Sequence, residues 1–231
     1  MLRKLFIRTW FGPLPTWTSE WIENTQSLKK YGFDFLLIND YTFFAERCKR
    51  TLGIHIAPIE QIAGTRKAGD FDPAYGEIFA EELRGYDFWG HCALDMVFGR
   101  LDRFIPDQFL KHCDIFANDP GAICGPFSLY RNRAFINNLF RRVDDWEKLL
   151  SSQTMYGFDE IQFNAVVREA AEDNLVRFET RFWQAHDTQA GHTPTPNMRL
   201  LADGSLIDGA TGHETMMFHF HRYRKWPILA S

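Results

Sequence analysis

Apolar positions are densest between Gly85 and Leu101, where GYDFWGHCALDMVFGRL carries Tyr86, Phe88, Trp89, Cys92, Leu94, Met96, Val97 and Phe98. Bounded by Gly85 and Gly99, this run reads as a strand buried on both faces rather than as a helix. Upstream, Lys4 to Trp10 predicts a first strand, closed by the loop FGPLP. Thr16 or Thr18 caps a helix carrying Trp21, Ile22 and Leu28 to Lys30, and Gly32 stops it. Phe33 to Asn39 predicts a second buried strand ending on Asp40, then a helix near Phe43 to Thr51 and a strand at Ile54 to Ile56. Strand, helix and strand at this spacing predict a parallel sheet. Gly64 to Asp72 reads as a polar loop, and Pro73 opens a helix running to about Leu83.

Beyond Gly99 the elements shorten. Leu101 to Cys113 predicts a turn and a short helix, Asp114 to Ala117 and Phe127 to Tyr130 short strands, and Ala134 to Phe140 a helix capped by Asn132. Phe158 to Glu172 repeats Ile161, Ala165, Val166 and Ala170 at helical spacing, and Leu175 to Glu179 reads as a strand. His186 to Gly212 is rich in Thr, Pro, Gly and Asp, so loops and a hairpin at Ala202 to Leu206 are expected before a last strand, Thr215 to Phe220. The fold class is α/β, with a mostly parallel central sheet flanked by helices and a smaller mixed region. The length of 231 residues suits one domain with an ample core.

Composition changes this picture in three places. The net charge of −4 argues against nucleic acid as a partner. Cys48, Cys92, Cys113 and Cys124 are widely spaced without a CxxC pair, the pattern of reduced thiols rather than of disulfides or a zinc site. The basic N-terminus holds too short an apolar stretch for a signal peptide, and no run approaches a membrane span. A cytoplasmic protein is expected, with at most peripheral association at the inner face of the membrane.

Candidate chemistry begins with Asp95, a lone carboxylate inside the apolar run. An ionised carboxylate there is costly unless it is paired or holds a metal. It either caps a turn and bonds nearby amides or stands at a strand's carboxyl end, where open α/β sheets present ligands. His219 and His221 form an HxH unit whose imidazoles point the same way if the segment is a strand. They are surface groups or ligands. The first predicted strand ends in Thr9, Trp10 and Phe11, the second in Asp40 and Tyr41, where α/β sheets bind nucleotides. Core packing is an equal reading for Trp10 and Phe11.

The block YDFWGHCALDMVFG, with DFDPAYGEIF before it and GPFSLYRN after it, resembles an uncharacterised bacterial family from polysaccharide-biosynthesis loci, itself similar to GT-A-type glycosyltransferases. The resemblance runs from WFGPLP to FHFHRYRKW and implies a Rossmann-like GT-A domain over 1–231. Residues 1–99 would then bind the nucleotide sugar, and 100–231 the acceptor, with a C-terminal metal and diphosphate strand. The family's Asp-x-Asp pair falls on Ala93, Leu94 and Asp95, so the first carboxylate is missing. In this context Asp95 and His219 are the implied ligands of Mn²⁺ or Mg²⁺. Lys67 and Asp70 match positions that contact ribose or phosphate, though alone they read as an ordinary polar loop. Arg222, Arg224 and Lys225 suit a diphosphate, or form a solvated basic tail.

Transfer needs stabilised charge on the leaving diphosphate and, for inversion, a carboxylate to take the acceptor's proton. Asp159 and Glu160 open the predicted helix, where acidic groups also favour the helix dipole. Adjacent carboxylates on a helix cannot both face one site, and Asp159 is chosen over Glu160 as base. The leading expectation is a metal-dependent glycosyltransferase taking a nucleotide sugar, UDP-sugars first, and a glycan or glycolipid acceptor on the bacterial surface. A non-catalytic nucleotide-sugar binder, motivated by Ala93, and a metal phosphoesterase are the alternatives.

Overall fold

The structure, a computed structural model, describes residues 1–63, 66–186, 197–222 and 225–228. Its centre is a six-stranded sheet in the order β2-β1-β3-β6-β5-β7. The strands are β1 (Lys4–Thr9), β2 (Phe33–Ile38), β3 (Phe88–Cys92), β5 (Ile115–Ala117), β6 (Phe127–Arg131) and β7 (Phe178–Thr180). β1 runs parallel to β2 and to β3, and β5 parallel to β7. β6 is antiparallel to both its neighbours, β3 and β5. Five of the six strands therefore run in one direction and β6 is reversed between β3 and β5, which agrees with the expectation of a mostly parallel sheet and adds one antiparallel strand at its middle.

Both faces are covered, as the unbroken apolar strands require. Leu5 and Ile7 of β1 join one core with Phe44, Phe71, Tyr75 and Trp89, while Phe6 enters the other with Trp21, Phe33 and Phe127. Helix α1 (Thr18–Gln26) lays Trp21 edge-on to Phe35. Helix α2 (Tyr41–Leu52) buries Phe44, Cys48 and Leu52 at helical spacing on the opposite face. The four cysteines are buried free thiols.

The Gly85 to Leu101 run is not one strand. β3 ends at Cys92, and the chain crosses at Ala93–Asp95 into β4 (Met96–Phe98). β4 belongs to a second sheet, β4-β12-β8, with β8 spanning Gln184–His186 and β12 Met217–His219. β9 (Met198–Leu200), β10 (Leu206–Asp208) and β11 (Glu214–Thr215) form a third, antiparallel sheet.

Other expectations also shift. Residues 54–56 form no strand, although Ile54 is buried. The supposed polar loop coils into tight turns over Arg66–Ala74 and is largely buried, and the helix after Pro73 covers only Tyr75–Ile78. Asn132 does not cap a helix, because its amide donates to the carbonyls of Leu83 and Tyr86. Helix α3 (Asn164–Glu172) is preceded by a π-turn over Asp159–Phe163. That wider turn breaks the helical register, leaving Ile161 62 % exposed where the spacing had placed it in the core. Among the described residues, no helix is long and apolar enough to cross a membrane.

Candidate functional site

The break after β3 builds the site. With the chain leaving the central sheet, Ala93 N–H donates to Pro126 O at 2.8 Å, and Leu94 O accepts from Trp17 Nε1 at 3.0 Å. Asp95 O accepts from Phe220 N at 3.0 Å, which ties this crossing to the end of β12. His219 Nε2 consequently lies 3.4 Å from Asp95 Oδ1, and His221 Nδ1 lies 3.8 Å from Asp95 Oδ2. Two ligands on one tetrahedral or octahedral ion sit about 3–3.5 Å apart, so these spacings fit a divalent cation with little movement. A carboxylate with imidazoles is also a fitting donor set for Mn²⁺ or Zn²⁺. Burial raises the Asp95 carboxyl, but the hydrogen bond and charge of His219, helped by Arg8, outweigh it and hold Asp95 down at about 2. His221 Nε2 faces Arg66 Nη2 at 3.3 Å, and a guanidinium only donates, so that nitrogen accepts.

A second cluster lies on the β1–β3 face. Asp72, His91 and Asp159 are all buried, and one ligand atom from each lies within 4.8 Å of the others. His91 Nε2 stands 3.0 Å from Cys124 O, which can only accept, so Nε2 carries the proton. His91 Nδ1 and Asp72 Oδ1 have no hydrogen-bond partner. Burial first, then repulsion from Asp72 and Glu160, pushes Asp159 well above the usual carboxylate range. Burial also raises Asp72, against the pull of His91 and Arg8.

Two groups join the clusters. Arg8, half-buried near the end of β1, acts electrostatically on both Asp72 and Asp95, and its Nε lacks a hydrogen-bond partner. Gly125 N donates to Glu160 Oε1 at 3.0 Å, next to the Pro126 carbonyl that holds Ala93. A Cβ on Gly125 would meet Glu160 Oε1 at 2.7 Å and Asp159 Oδ2 at 2.9 Å, so only glycine lets both carboxylates approach this loop.

The remaining candidates are dispersed. Thr9 Oγ1 bonds Tyr75 Oη at 2.7 Å inside the core. Trp10 is half-buried with Nε1 on Pro13 O, whereas Phe11 packs against Tyr41 and Phe44. Asp40 caps α2 through the Phe43 amide at 3.0 Å. Lys67 and Asp70, each 1 % exposed, bond one another at 2.9 Å. Asp70 also accepts from the amides of Tyr156 and Phe158, which makes the pair a clamp under the loop that carries Asp159. Arg222 and Lys225 are exposed beyond the HxH unit, while Arg224 lies outside the described residues. Sequence reasoning missed Arg8, Asp72 and His91. The signal for Arg8 and His91 was the one that exposed Asp95, a lone polar group in an apolar strand. A cleft of about 440 Å³ lined by Phe104, Trp183, Asp208 and His213 includes none of these groups.

Residues 6–199 match a family described as one of unknown function, DUF6625. No curated protein matches the sequence. Among solved structures, the chain is similar to a crystal structure of a glycosyltransferase involved in glycosylation of the major capsid of PBCV-1. The TM-score is 0.51 at 7 % identity, over 96 % of this chain and 95 % of that one. At that identity the likeness is one of fold.

Proposed function

The chain belongs to DUF6625, a family of unknown function, and for it we propose a divalent-metal-dependent glycosyltransferase. It moves a sugar from a nucleoside-diphosphate donor, a UDP-sugar first among candidates, to a glycan or glycolipid acceptor. The observation that carries this reading is the Asp95, His219 and His221 constellation just beyond the end of β3, which runs parallel to β1. Open sheets bind nucleotides at that edge, and the whole-chain likeness in fold to a glycosyltransferase supports transfer as the class of activity.

Asp95 and His219 would hold the cation, whose chemistry is to neutralise charge on the departing diphosphate. Arg8 presents a half-buried guanidinium beside that carboxylate, and Arg222 with Lys225 add exposed cations beyond it. Bidentate guanidinium contacts to phosphate oxygens are strong because donor and acceptor are both charged. Trp10 offers a flat, half-buried ring for the base, at the strand end next to the Asp40 cap. Asp159 takes the acceptor proton. Burial first, then repulsion from Asp72 and Glu160, raises this carboxyl, which makes its ionised form a stronger base.

Ala93 favours a second reading, in which the chain binds the donor with weakened turnover. One experiment separates the two. Thermal unfolding is followed with UDP, GDP or CMP, each with and without Mn²⁺, and donor hydrolysis is assayed in parallel. At a hundredfold excess over Kd a ligand adds about 2.7 kcal/mol of stability, which raises Tm by about 5–10 °C for a domain of this size. A shift with turnover supports transfer, and a shift without it supports the binder. No shift with any nucleotide and Mn²⁺ overturns both.

A further inference from the structure

His91 sits on β3 opposite Ser128 of β6, with its ring sealed inside the core. Its Nε2 donates to the Cys124 carbonyl at 3.0 Å, and Ser128 Oγ donates to that same carbonyl at 3.0 Å. The Nδ1 lone pair is left without a partner, as is Asp72 Oδ1, on a side chain equally buried. Asp159, 6 % exposed, completes a group in which one ligand atom from each residue lies within 4.8 Å of the others. Buried acceptors gathered this closely call for a proton or a cation among them. A single proton joins two of them and leaves the third, whereas one divalent ion takes all three. Ligand atoms on a shared ion stand about 3–4 Å apart, so small side-chain movements close this group on one.

We propose that Asp72, His91 and Asp159 form a second divalent-cation site, separate from that of Asp95, which takes Zn²⁺ through His91 Nδ1 and one oxygen of each carboxylate. A neutral imidazole with carboxylates suits Zn²⁺, whereas Mg²⁺ demands oxygens and keeps several waters. The bond from His91 Nε2 to a backbone carbonyl is the support that metal-bound imidazoles usually have, because it fixes the tautomer and aims the other nitrogen. Charge agrees: Asp72, Asp159 and the neighbouring Glu160, when ionised, outnumber Arg8, which Asp95 also draws on. The Lys67–Asp70 ion pair beneath cancels itself. The ligands are also held in place, Asp72 within the buried coil Arg66–Ala74 and Asp159 just beyond the two amides that Asp70 clamps. Such preorganisation lowers the cost of binding. A bound ion displaces any proton on Asp159 and occupies its lone pair. On the transferase reading Zn²⁺ here therefore silences the base and inhibits; the binding itself does not depend on that reading.

The test titrates Zn²⁺ alone by calorimetry into the full chain carrying Asp95→Ala, which breaks the other cluster, with circular dichroism to check folding. His219→Ala combined with His221→Ala breaks the same cluster by another route if Asp95→Ala does not fold. A single Zn²⁺ is expected to bind, moving His91 Nδ1 in the imidazole ¹⁵N spectrum while Nε2 stays protonated. Adding Asp159→Asn or Asp72→Asn should weaken Zn²⁺ binding by about tenfold or more, the usual effect of losing a ligand or its support. Adding His213→Ala, at an exposed position, should change nothing. No bound Zn²⁺, an unmoved His91 Nδ1, or equal affinity with Asp159→Asn overturns the site, even where a nucleotide with Mn²⁺ raises Tm. Zn²⁺ held by His91 without any nucleotide effect sustains the site while the transferase reading falls.

Discussion

Asp70→Ala should cripple stability rather than donor recognition. Asp70 Oδ2 accepts from Lys67 Nζ at 2.9 Å, and its two oxygens also take the Tyr156 and Phe158 amides at 3.0 Å each. Lys67 Nζ also donates to the Leu149 carbonyl at 2.6 Å and lies over the Phe71 and Tyr156 rings, contacts that carry no counter-charge. Truncation leaves a buried ammonium without its counter-charge, which costs about 3–5 kcal/mol, and an unpaired buried amide adds about 1–3 kcal/mol. Because the two costs overlap, about 4–6 kcal/mol is expected, a large part of the ~5–15 kcal/mol that holds a domain folded. The matching fall in Tm is at least about 8 °C. Urea unfolding at neutral pH measures the loss, and nucleotide binding is measured at a temperature where the variant is still folded. Lys67→Met with Asp70→Leu should recover much of the stability, since an apolar pair buries no charge. If Asp70→Ala costs under about 1 kcal/mol yet weakens nucleotide binding, the clamp is wrong and the pair contacts the donor.

Two further outcomes follow from the carboxylates. Asp159 and Asp72 titrate above their ordinary range, so the folded chain holds protons that the unfolded chain releases. Their contribution is therefore full below the unfolded carboxyl pKa of about 4 and is lost as pH rises through the folded values. Asp159→Asn should accordingly gain stability over wild type near neutral pH and none near pH 4; equal urea midpoints at both pH values would contradict the burial of this carboxyl. Gly125→Ala forces Glu160 and Asp159 apart from their present approach. A misplacement of that size should lower kcat by about 10²-fold with nucleotide affinity little changed, and an unaltered kcat removes these acids from the reaction.

The local pattern of the chain was enough for much of the frame. Apolar runs located β1, β2, β3 and β6, because burial on both faces of a sheet demands unbroken hydrophobic sequence. The helical period found α2 and α3, and Gly32, with φ at 82°, ended the first helical segment as expected. A lone carboxylate in an apolar run was equally legible, and Asp95 does stand with His219.

What the sequence could not decide is partnership. Hydrophobicity reports that Met96–Phe98 is buried, not that it leaves β3's sheet to pair with β12, since the same residues satisfy either ladder. The antiparallel β6 at the sheet's middle is likewise a choice of direction that neither spacing nor composition records. The π-turn at Asp159–Phe163 shifted a helical face by one position, which no periodicity could announce. Asp72, His91 and Asp159 are brought together from three segments, and His186 meets His219 through a parallel pairing. Chain-distant side chains become neighbours only when strand register is set, and register is fixed by packing summed over the whole core rather than by any one stretch.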